Sequence, residues 1–106
     1  MGSNVSDLQS MVITQELRAA YLQSVAAKLA EFAEAAQARH FRIIARIGHQ
    51  LKGSGRSYGI PEISLLGARI EEAGQDRRVS LLDPLLAEFK NLMCRITEAD
   101  TVPEHS

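Results

Sequence analysis

With 106 residues, 45 % of them apolar and 24 % charged, the chain has the make-up of one globular domain with a single hydrophobic core. A formal net charge of −1 gives no global attraction to nucleic acid or an anionic membrane, so any basic patch has to be local. One cysteine excludes an internal disulfide, no apolar run approaches the ~18–20 residues that span a bilayer, and no signal peptide is visible; the expected location is the cytoplasm.

Residues 1–13 are polar and weakly patterned, and read as an N-terminal extension or a short extra helix. From Thr14 to Ala36 the pattern is helical: Leu22, Val25, Leu29, Phe32 and Ala36 recur three and four apart, and Thr14 offers an N-cap with Glu16 in the first turn. The helical signal then runs on without Gly or Pro. Unbroken, it would make a helix of about 45 residues, too long for a small compact domain, so a turn is expected near Gln37–His40.

The second helix is predicted to end at Gly59, with Pro61 opening the third. Ile63, Leu66, Ile70 and Ala73 form the next apolar stripe, Gly67 lets a neighbour approach, and Gly74 is read as the stop. After a charged connection, Gln75–Val79, Ser80 or Asp83 is expected to cap the last helix, with Pro84 in its first turn. Leu82, Leu85, Phe89, Leu92 and Ile96 face inward on that helix. The tail, 100–106, contains Pro103 and is expected to be disordered. Four amphipathic helices with short connections and no strand signal predict an all-α fold, an antiparallel four-helix bundle over residues 14–99.

The second helix carries the chemistry. Ile44, Ile47, Leu51 and Tyr58 define its apolar stripe, and at about 100° per residue His49 lies on the opposite side, facing water. Arg42, Arg46, Lys52 and Arg56 fall within roughly 60° of it on the same wheel. Gly53 lies one turn beyond His49 on nearly the same face, where glycine costs about 1 kcal/mol relative to alanine and therefore calls for a reason.

The run His49, Leu51, Lys52, Gly53, Ser54 and then Gly59 resembles the signature of histidine-containing phosphotransfer (HPt) domains, and the resemblance extends from about Leu17 to Ala99. It implies that His49 carries a phosphoryl group, that Lys52 supports it and that Gly53 leaves room for it. A neutral imidazole is a competent nucleophile near pH 7, provided Nε2 is unprotonated and the proton is held on Nδ1. Glu71 falls at the family position that holds that proton, although a plain surface glutamate is an equal reading. Arg42, Arg46 and Arg56 are either an ordinary basic helix face or the complement of an acidic partner.

The partners implied by the resemblance are response-regulator receiver domains, each with a phosphorylatable aspartate and a bound Mg²⁺, and a hybrid or chemotaxis-type sensor histidine kinase. Without an ATP-binding motif the chain is expected to be a monomeric, stoichiometric phosphocarrier in a multistep phosphorelay, with no cofactor of its own. Two alternatives stand beside this: the phosphodonor module of a chemotaxis-type kinase, and a helical docking module without phosphoryl chemistry. His40, His105 and Cys94 lack metal-ligand spacing, and Cys94 falls on the polar side of the last helix. Neutral charge and the lack of exposed aromatics disfavour nucleic acid.

Overall fold

The computed structural model describes residues 13–100, which form four α-helices and one 3-10 turn: α1 (Gln15–Ala38), α2 (Phe41–Ser54), the 3-10 turn (Arg56–Tyr58), α3 (Pro61–Gln75) and α4 (Val79–Asp100). The expectations for residues 1–12 and 101–106 lie outside the described residues. No strand occurs among the described residues, and the fold is the all-α helical bundle that the four apolar stripes require. No helix of these residues is long and apolar enough to cross a membrane.

The stripes close on one core. Val25, Phe32, Ile44, Ile47, Leu51, Ile63, Ile70, Leu82 and Phe89 are almost fully buried, and the Phe32 and Phe89 rings meet at a centroid distance of 6.4 Å. Truncating either phenylalanine to alanine would cost about 3–5 kcal/mol on the usual scale for buried aromatics. Every residue assigned to the inward stripes of α3 and α4 is buried; on α1, Leu22 and Leu29 pack only partly against the core.

Helix α1 begins as expected, with the Thr14 hydroxyl accepting a hydrogen bond from the Leu17 amide at 3.0 Å. It ends in the expected turn, but without a glycine. Arg39 takes the left-handed conformation (φ 59°), and the amides of Arg39 and His40 donate back to the Ala36 and Ala35 carbonyls. Helix α3 ends the same way on Arg77 (φ 54°), whose amide and that of Arg78 reach Gly74 and Ala73. Left-handed backbone costs an L-residue roughly 1–2 kcal/mol, so both ends carry strain that glycine would relieve.

Four expectations about helix ends are corrected. The α-helix of α2 stops at Ser54, not at Gly59; from Gly55 the chain tightens into the 3-10 turn, and Gly59 (φ 79°) closes that turn instead. The change occurs where the buried hydroxyl of Ser64 accepts the Arg56 amide at 2.8 Å, giving an end-of-helix donor a partner on α3. Tyr58 is therefore not on the α-helical stripe: it is half-buried and stacks on Tyr21, centroids 4.1 Å apart, while the Tyr21 hydroxyl bonds Ser54 at 2.7 Å. Gly74 does not stop α3, which runs to Gln75. Neither Ser80 nor Asp83 caps α4, since the helix starts at Val79 and Pro84 sits inside it, in the second turn. The carbonyl Pro84 leaves without a donor belongs to exposed Ser80, which water can reach.

Candidate functional site

Helices α2 and α3 touch backbone to backbone along glycines. A Cβ on Gly48 would stand 2.6 Å from the Gly67 carbonyl oxygen and 2.7 Å from Glu71 Cα, and one on Gly67 would stand 2.8 Å from the Gly48 carbonyl oxygen. Gly74 and Gly55 extend the seam at its two ends, against Ala45 and Ser64. Any side chain at the crossing would drive the helices apart. Because they cross so closely, residues that flank the seam on the water side are brought within reach of each other.

His49 and Glu71 are such a pair. The His49 ring, its side chain 70 % exposed, places Nδ1 3.0 Å from Glu71 Oε2, and Lys52 Nζ lies 2.7 Å from the other carboxylate oxygen, Oε1. The Glu71 side chain is only 14 % exposed, so the carboxylate is largely covered while both of its partners reach water. Its carboxyl is held below the usual glutamate range, chiefly by the hydrogen bond from Lys52, with His49 adding to this and partial desolvation opposing it.

The protonation state follows. A carboxylate held low is ionised at neutral pH and can only accept, so a neutral His49 must donate from Nδ1 and leave Nε2 with its lone pair. The tautomer is set by the neighbour. One carboxylate thus fixes an imidazole and an ammonium on a single surface spot, with no cavity needed to assemble them.

Gly53 faces open space: nothing lies within 4 Å of where its Cβ would be. Packing therefore gives no reason for a glycine there. Of the three arginines grouped with His49, Arg42 and Arg46 share the α2 face, and Arg46 is drawn toward α1 by Glu31 at 3.5 Å. Arg56 lies in the 3-10 turn beyond Gly55, where 100° per residue no longer holds, so the wheel does not place it on the His49 face. Cys94 is exposed, and among the described residues no group of three His, Cys, Asp or Glu side chains converges.

Gly48, at the centre of the crossing, is absent from the site residues expected from the sequence. Its signal was its position on the apolar stripe between Ile44 and Leu51, where a residue without a side chain implies contact with backbone. The Tyr21–Tyr58–Ser54 contact leaves no signal in the linear pattern, because the three residues come from separate elements.

The site is a surface imidazole held in one tautomer on a helical bundle, with a cation beside it. Residues 16–99 match the Hpt domain model, and the chain belongs to the Hpt domain family. No curated protein and no solved structure gives a match. Membership implies histidine phosphotransfer in phosphorelay signalling; Hpt domains are phosphocarriers and interact with receiver domains and histidine kinases.

Proposed function

We propose that His49 is the phosphoacceptor of this domain, taking a phosphoryl group from a receiver-domain aspartate and handing it to another. The Nε2 lone pair attacks the phosphorus of the aspartyl phosphate in line with the leaving oxygen. The N–P bond forms as the O–P bond to the receiver breaks, and the electron pair leaves on the receiver carboxylate. The ring then carries its Nδ1 proton as a cation, and Glu71 Oε2 stands where that charge develops. Lys52 steadies the phosphoryl oxygens as a point charge on a flexible stem. Transfer back to a receiver carboxylate reverses the same bonds.

The partner's Mg²⁺ would neutralise charge on the phosphoryl oxygens, which leaves positioning and charge compensation to this chain. The observation that carries the reading is the Nδ1–Glu71 contact at 3.0 Å, since it frees Nε2 of a proton. The test is incubation with receiver domains phosphorylated by acetyl phosphate. Acid-labile, base-stable phosphate should accumulate on the wild-type chain and be absent from His49→Gln, whose helical circular dichroism should match wild type because the side chain faces water. Phosphate on His49→Gln would overturn the assignment.

A further inference from the structure

Among the described residues three helix ends are left-handed, and their occupants differ by location. At the end of the bundle where α2 passes to α3 the position is filled by Gly59. At the opposite pole, where α1 meets α2 and α3 meets α4, both positions are filled by arginine, Arg39 and Arg77. Two strained arginines in neighbouring turns, against an unstrained glycine at the far end, favour charge at that pole over backbone comfort.

The two turns are adjacent in space. The Arg77 guanidinium carbon lies 5.8 Å above the Phe41 ring, directly after the Arg39–His40 turn. Exposed Arg78 and Arg42 join them, so four arginines gather at this pole against Asp76, Asp83 and Glu72, the last lining the same hollow as Arg78, on a chain whose net charge is −1. Among the described residues, none of the four arginines makes an ion pair with a carboxylate. Arg39 Nη1 donates to the Ala36 carbonyl at 3.1 Å, a neutral acceptor, so its charge, like that of the other three, is not balanced by a carboxylate partner.

We propose that this pole is a second electrostatic contact for the acidic protein domain that brings the aspartyl phosphate to His49, an inference that rests on the function proposed above. His40, the N-cap of α2, and His49 are nine residues apart, about 14 Å along the axis, and Arg42 and Arg46 lie between. A partner covering about 800 Å² on its side spans roughly 30 Å, so one domain centred on His49 reaches the pole. Contacts of this kind raise encounter rate and fix orientation, leaving the chemical step alone. The site is read by acidic side chains on the partner outside its phosphorylated aspartate.

The test compares wild type with Arg39→Gly/Arg77→Gly and, separately, Arg78→Glu, each titrated with purified receiver domains of the source genome for binding and for phosphotransfer. Glycine suits both left-handed positions and Arg78 is exposed, so the variants should fold. Half-saturation is expected to rise about threefold to tenfold at low salt, with a flatter salt dependence and an unchanged rate at saturation. Unchanged half-saturation and salt dependence in both variants would overturn the pole while leaving His49 transfer standing. Weaker binding by the variants, with no transfer by wild type, would keep the pole and sink the phosphocarrier reading. Wild-type binding to phosphatidylglycerol vesicles but to no receiver, lost in the variants, would assign the pole to a membrane and refute the proposal.

Discussion

Alanine at Gly53 and alanine at Gly48 are the same change, five residues apart on α2, and the structure gives them opposite signs. At Gly53 a Cβ meets nothing within 4 Å and the backbone is right-handed, so only helix propensity acts. That favours alanine by up to about 1 kcal/mol, reduced because Gly53 is the next-to-last residue of the helix. For a domain of this size the melting midpoint should rise, by at most about 4–8 °C. At Gly48 the added methyl would meet backbone of Gly67 and Glu71, which cannot rotate away. Overpacking of this kind costs about 1–3 kcal/mol and more when helices must separate, so the midpoint should fall by roughly 10 °C. Thermal melts by circular dichroism read both signs, and phosphotransfer time courses on the same samples separate fold from function. If Gly53 exists to clear the approach to His49, transfer should slow from Ala to Gln to bulkier residues while the fold stays intact. A Gly53→Gln variant that melts higher and transfers at the wild-type rate would refute the clearance argument; a Gly48→Ala variant as stable as wild type would refute the packing argument.

Two predictions concern the carboxylate between His49 and Lys52. Its folded-state pKa is lowered, so the stabilisation it contributes is complete above the unfolded value of about 4.3 and is lost as pH falls through the lower folded value. Glu71→Gln should therefore flatten the decline in unfolding stability below about pH 4.3 and leave its slope near neutrality unchanged, as urea titrations across that range would record; an identical acid limb would mean the carboxylate is not held low. Lys52→Ala should slow phosphotransfer without abolishing it and move the Glu71 carboxyl back toward the ordinary range, visible in a side-chain carboxyl NMR titration. Wild-type transfer by Lys52→Ala would reduce Lys52 to a partner of Glu71 alone.

The apolar stripes were legible because a helix repeats its facing every three or four residues, and Ile63, Leu66, Ile70 and Ala73 all proved buried. The contact between His49 and Glu71 was not legible in the same way. The two residues are 22 apart in sequence, and what joins them is the crossing of Gly48 over Gly67, a property of two helices together. Helix ends failed for a related reason. A glycine marks a left-handed end only when it occupies one; at Arg39 and Arg77 the surrounding structure imposes that conformation on arginine, and no local pattern announces it. Gly74, three residues before Arg77, was therefore taken for a stop when it is a contact with Ala45.

Facing, more than nearness to an end, decides what each glycine does. Gly48, Gly55, Gly67 and Gly74 are buried, and at each of them a Cβ would come within 3 Å of backbone on another segment; Gly53 and Gly59 are exposed, with nothing within 4 Å. Gly59 has its own reason in a φ of 79°. Gly53 has neither reason. It sits in right-handed helix, in open space, one turn from the imidazole, at a position where alanine would be more stable. Neither packing nor backbone conformation accounts for Gly53, so the transfer rates of its Ala, Gln and bulkier variants decide whether it clears the approach of a second molecule to His49.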